Sequence, residues 1–252
     1  MHSDILGMDT PKSTFKVPAP LTILPPEIKN AVKVTEKMYT LEEFKKTYKT
    51  QQVYGEPAAS LSWGIEGAAQ GQIDSGSEGE KMTAKILNEF VKSIPSAKVF
   101  HSVEWPGSQG DTDHMLIIGN LVIIIDSKRW KSKRKYSVTP KGAILRGTVP
   151  FPEGRVKMIP AMKAWNKVLP KEARVVGVVC VAQNEVFVPY DRNWHQAPYR
   201  LVTAEKLVEY LEGYIKKQTK YTAKPNAQLL SLVATRVIKA RNRRAELIRG
   251  TM

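Results

Sequence analysis

One cysteine, Cys180, is all the thiol chemistry in this 252-residue chain. That excludes an internal disulfide framework and suits a reducing, cytoplasmic setting. Cys180 lies in the strand-like run VVGVVCVAQ, so it reads as a small buried hydrophobe rather than a nucleophile. No apolar stretch approaches the ~20 residues that cross a bilayer, and the first residues lack the basic-then-apolar order of a signal peptide. The glycine-rich stretches lack the Gly-Lys-Ser/Thr that would make a phosphate loop. His101, His114 and His195 are scattered without metal-ligand spacing, with His114 expected on the face opposite its neighbour Asp113. Acidic residues are missing altogether from Ser127 to Pro152.

The charge that is present is positive. Thirty-nine Lys and Arg against 24 Asp and Glu give +15, with a pI near 9.8. This balance points to a polyanionic partner, nucleic acid before membrane. The acid-free stretch carries Lys128, Arg129, Lys131, Lys133, Arg134, Lys135, Lys141 and Arg146. Trp130 and Tyr136 are interleaved with these cations, a pattern that can bind backbone phosphates and stack a base, or else form a solvated basic hairpin. Arg236, Lys239, Arg241, Arg243, Arg244 and Arg249 form a second cluster in the tail.

Residues 1–75 read as an extended Pro/Gly-rich arm with a short helix, docking on another chain or folding back on its own core. A core follows over 76–222. It begins with an amphipathic helix from Glu78 to Ile94, then a strand at 98–104, and strands at 114–118 and 121–126 joined at Gly119-Asn120. Short strands at 134–139 and 143–148, a helix over 156–168, strands at 174–182 and 186–188 and the helix LVEYLEGYIKK complete it. Residues 223–252 are expected to form a basic C-terminal helix reaching about Arg249. It could serve as core packing, a nucleic-acid contact or a docking surface.

The hairpin register has a chemical consequence. With the turn at Gly119-Asn120, Ile118 faces Leu121, and the same pairing brings Asp113 opposite Asp126. Directly opposed side chains have Cβ atoms about 4.5–5.5 Å apart. Two carboxylates that close repel by ~4 kcal/mol at an effective dielectric near 20, unless a cation lies between them or one is protonated. Lys128, two residues past Asp126, returns to the same strand face. Glu80 lies on the inward stripe of the first helix; it also reads as a plain anion at a helix N-terminus.

These residues resemble the PD-(D/E)xK nuclease superfamily, and within it the nuclease-related domain (NERD) family. Gly76, Gly79 and Glu80 match the family's helix start, Asp113-His114 its first strand motif, and Asp126-Ser127-Lys128 followed by Trp130 its second. Thr112 replaces the usual isoleucine, and Asp126 replaces a glutamate, which the superfamily tolerates. The likeness covers roughly residues 76–210. It implies an α/β fold with a restriction-endonuclease-like core, a mixed central β-sheet flanked by helices. It further implies metal-dependent hydrolysis of phosphodiester bonds, most readily in DNA. Asp113, Asp126, the Ser127 carbonyl and Glu80 would hold Mg²⁺ or Mn²⁺, and Lys128 would orient the attacking water or stabilise the transition state. The competing expectation is a non-catalytic nucleic-acid-binding or assembly subunit, in a DNA-processing or virion complex, that keeps the fold. RNA in place of DNA is a third. A protein partner for the arm or the tail is compatible with each.

Overall fold

The computed structural model describes residues 38–63, 70–108, 110–131, 133–152, 156–182, 196–219 and 223–240. The expected strand at 186–188, His195, the first 37 residues and the arginines from Arg241 onward lie outside them.

In chain order the elements are α1 (Leu41–Thr47), β1 (Val53–Tyr54), α2 (Gln70–Lys92), β2 (Lys98–Glu104), β3 (Asp111–Ile118) and β4 (Leu121–Lys128). They continue with β5 (Tyr136–Val138), β6 (Ile144–Arg146), β7 (Val149–Pro150), α3 (Met158–Val168), β8 (Arg174–Val181), β9 (Arg200–Thr203), α4 (Leu207–Gln218) and α5 (Ala227–Ala234). Six strands make a mixed sheet in the order β1-β2-β3-β4-β8-β9; β5, β6 and β7 form a separate antiparallel sheet. Strands β2, β3 and β4 pair antiparallel, while β4, β8 and β9 run parallel.

Strands β3 and β4 are apolar on both faces because both faces are covered. Met115, Ile117, Val122 and Ile124 pack with Phe44 of α1, Met158 and Trp165 of α3, and Leu229 and Val233 of α5. Leu116, Ile118, Ile123 and Ile125 pack on the other side with Leu87, Phe90 and Val91 of α2 and Leu207, Leu211 and Ile215 of α4. Gly119 (φ +57°) supplies the positive φ that the β3–β4 turn needs.

Three sequence expectations change. Helix α2 begins at Gln70, so the glycine-rich stretch up to Gly79 is helical rather than flexible. Gly79 packs against Arg129, just past β4, where a Cβ would stand in ordinary contact 3.5 Å from the Arg129 Cβ. Glu80 therefore sits mid-helix, and its reading as a helix N-terminal anion is withdrawn. The final helix ends at Ala234, not near Arg249. Beyond it Val237 and Ile238 turn to form β-bridges with Val103 and Met38, and the Ile238 N–H donates to the Ser102 carbonyl (2.8 Å). Of the three readings of this helix, core packing holds for Leu229, Leu230, Val233, Val237 and Ile238, all buried.

Residues 38–63 of the expected arm belong to the core. β1 adds to β2, and Phe44, Tyr54 and Phe100 form an aromatic cluster. Gly55 (φ +76°) sits where a Cβ would come within 2.5 Å of the His101 carbonyl oxygen and 2.6 Å of Val237 Cγ1. Gly55→Ala thus adds left-handed strain to a backbone clash and should destabilise the protein by about 2–4 kcal/mol, measured by urea unfolding. An independent arm would show no such loss.

Candidate active site

The β3–β4 register runs from Ile118–Leu121 to His114–Ile125, as the turn position predicts. Carried beyond these paired residues, the same register would set Asp113 against Asp126, Thr112 against Ser127 and Asp111 against Lys128. The Ser127 N–H donates to Asp113 Oδ2 at 2.6 Å, which brings the Asp113 carboxylate to the 126–127 peptide. Lys128 Nζ lies 2.7 Å from Asp126 Oδ2 and 3.4 Å from the Ser127 carbonyl oxygen. Apart from this ion pair, no hydrogen-bond donor among the described residues reaches the buried Asp126 Oδ2. Glu80, 6 % exposed, enters from α2, and its Oε2 accepts the Ala58 N–H at 2.9 Å.

The electrostatics follow from crowding. Burial, followed by the charge of Asp111, pushes the Glu80 carboxyl up to about 8. Burial, with Glu80 and Asp126 adding repulsion, holds Asp113 well above the ordinary aspartate range. Asp111 is also raised, chiefly by burial, against an opposing hydrogen bond from Ser60. Burial works against the Lys128 ammonium, but Asp126 and Asp113 more than offset it, so Lys128 stays protonated above the usual lysine range. It is the internal counter-ion of four carboxylates and cannot act as a base at neutral pH.

Two residues that sequence reasoning missed enter here. Asp111 shares the strand face of Asp113, and the same pairing that opposed the two aspartates would have placed it across from Lys128. Ala58 carried no signal, because its contribution is a backbone N–H brought in by tertiary packing. The histidines are a correction: His101 and His114 are not scattered but directly opposed across β2 and β3, with Nδ1 atoms 2.8 Å apart. Both are buried, on the face away from Asp113. Thr112, in place of isoleucine, is buried on that same face and accepts the Trp105 indole N–H at 3.0 Å.

Residues 75–182 match the family model of the nuclease-related domain, NERD. That segment is similar to a nuclease-related domain. No curated protein and no solved structure gives a significant match to the chain. The NERD segment holds Glu80, Asp111, Asp113, Asp126 and Lys128, while Ala58 and Ser60 come from outside it. None of the described helices is long and apolar enough to span a membrane.

The small sheet β5-β6-β7 stands beside the site. Lys131, Lys133, Arg134, Lys135 and Arg146 line a concavity of about 550 Å³. Lys141 is exposed at the far turn of the hairpin. Arg129 is ion-paired with Glu78. The two aromatics do not face outward: Trp130 is 7 % and Tyr136 0 % exposed, and both pack with Phe151 beneath the cations. Burying these rings on the β5–β6 ribbon anchors it, so neither ring can stack on a base.

Proposed function

We propose that the protein is a divalent-metal-dependent nuclease that hydrolyses phosphodiester bonds in DNA. The observation that carries this is the convergence of Glu80, Asp111, Asp113 and Asp126 on Lys128 beside a concave basic ribbon. Carboxylates held above their usual range by burial and mutual repulsion, as Glu80 and Asp113 are, are relieved by a cation. The donor set is all oxygen. This suits Mg²⁺ or Mn²⁺, which binds through one or two carboxylates with waters and substrate phosphate oxygens. Asp113, Asp126 and the Ser127 carbonyl would hold it, with Glu80 behind.

When bound, such an ion polarises the scissile phosphate and makes water a better nucleophile. The chain's own residues do the rest. Lys128 places a fixed positive charge where the phosphate gains negative charge in the transition state. Glu80 holds a proton up to about pH 8 and can accept one from the attacking water once it ionises. Lys131, Lys133, Arg134, Lys135 and Arg146 bind backbone phosphates without reading sequence.

The test is incubation of the purified chain with plasmid DNA, linear DNA and RNA, each with Mg²⁺, Mn²⁺ or EDTA. Metal-dependent cleavage of DNA supports the proposal, and cleavage of RNA alone moves the substrate class. Tight binding without cleavage in any metal replaces it with a binding or assembly role. Independently of cleavage, the double change Lys133→Ala with Arg134→Ala should weaken DNA binding alike for every sequence. It should also lower the log–log salt slope by about 2, read by fluorescence anisotropy across a salt series.

A further inference from the structure

On the face of β3 and β4 away from the carboxylates, a chain of hydrogen bonds leads from helix α2 to the centre of the site. His101 Nε2 lies 2.9 Å from Asn88 Oδ1, His101 Nδ1 lies 2.8 Å from His114 Nδ1, and His114 Nε2 lies 3.0 Å from Ser127 Oγ. The Ser127 N–H then makes the 2.6 Å bond to Asp113 Oδ2. All three internal side chains are buried, the two imidazoles completely.

We infer that Asn88, His101 and His114 are positioning residues that fix the Ser127 peptide, and through it the Asp113 carboxylate, from behind the sheet. This deepens the proposed nuclease site and, as a catalytic device, rests on that reading. The polarity of the chain follows from counting protons. A neutral imidazole has one N–H and one acceptor nitrogen. The Asn88 carbonyl oxygen only accepts, so His101 Nε2 donates to it and His101 Nδ1 must accept. His114 Nδ1–H therefore donates to His101, His114 Nε2 accepts, and the Ser127 hydroxyl donates. One proton per ring satisfies every link.

The consequence is a fixed peptide plane. Ser127 is held at its hydroxyl from one face, while its N–H points at Asp113 and its carbonyl lies within reach of Lys128. Releasing the hydroxyl lets the peptide rock and loosens the carboxylate on the opposite side. Partners of this kind behind a metal or carboxylate site typically alter activity by about 10–100-fold when removed.

The experiment uses the full chain with Asn88→Leu, which deletes the remote acceptor on α2, and Asn88→Asp, which keeps it. The first readout is the Ser127 amide resonance by NMR, which a short bond to a carboxylate moves downfield. It should shift upfield in Asn88→Leu and return in Asn88→Asp. Where cleavage is measurable, Asn88→Leu should lower kcat by about tenfold with KM little changed, and Asn88→Asp should restore it. A Ser127 amide that stays in place in Asn88→Leu overturns the inference, whether or not the protein cuts DNA. An amide that moves in a protein without metal-dependent cleavage leaves the relay standing and removes the nuclease reading. Unfolding temperatures of both variants separate relay loss from general destabilisation, since only the former is corrected by the aspartate.

Discussion

Asp126→Ala and Lys128→Ala should each reduce metal-dependent DNA cleavage by about a thousandfold or more, while DNA binding stays near the wild-type value. The two losses differ in origin. Asp126→Ala removes the carboxylate paired with Lys128, and with it a proposed ligand for the cation. Lys128 then keeps the Ser127 carbonyl oxygen, 3.4 Å away, as an acceptor. Lys128→Ala removes the one cation among the carboxylates and the charge that would stabilise the transition state. Binding should survive both, because the proposed phosphate contacts lie on the basic ribbon and not in this cluster. Single-turnover cleavage at saturating Mg²⁺, with anisotropy for binding and circular dichroism for folding, reads these effects. Full activity in both variants would remove the assignment of this cluster as the catalytic centre.

Glu80→Gln should stabilise the metal-free protein, increasingly as pH rises. Glu80 titrates near 8 in the fold against an ordinary 4.5, so its folded-state value is raised. Between these values the native state binds more protons than the unfolded chain. Its favourable contribution is therefore complete below about pH 4.5 and is lost as pH climbs to about 8. A displacement of this size corresponds to several kcal/mol, on the order of 4–5 when fully developed. Glutamine does not ionise and can still accept the Ala58 N–H, so the variant escapes the loss. His101 acts with the opposite sign. Burial depresses it to about 4, so its contribution is present above pH 6.5 and is lost as pH falls towards 4. Comparing wild type with Glu80→Gln at each pH cancels that effect. Urea unfolding from pH 4 to 9 in EDTA should show the two proteins alike at the acid end and diverging from about pH 5 up to about pH 8. Parallel curves would mean that Glu80 is ionised throughout. Saturating Mg²⁺ should narrow the gap, because a cation lets Glu80 ionise without penalty.

The local patterns of this chain carry much of its structure. Two apolar runs and the Gly-Asn pair between them mark the β3–β4 hairpin and its register, and from that register the opposition of Asp113 and Asp126 is expected. The acid-free run from Ser127 marks the basic ribbon. Asn226 opens α5 as a capping residue should, its side chain accepting the N–H groups of Gln228 and Leu229. The family match over 75–182 agrees with those motifs.

What local pattern could not reveal is what arrives from far along the chain. The glycines before Glu80 look like a flexible loop until β4 is packed against them. Val237 and Ile238 look like helix until the exposed edge of β2 offers them hydrogen bonds. Trp130 and Tyr136 read as ligand-stacking rings because composition records which side chains are present, not which way a three-residue strand faces. By itself the sequence determined which charges share a strand face, since side-chain direction repeats every two residues whatever surrounds the strand. Only the tertiary structure decided how deeply those charges are buried and which backbone groups hold them. Desolvation and hydrogen bonding depend on neighbours such as Ala58, His101 and Asn88 that no short window of sequence can bring together.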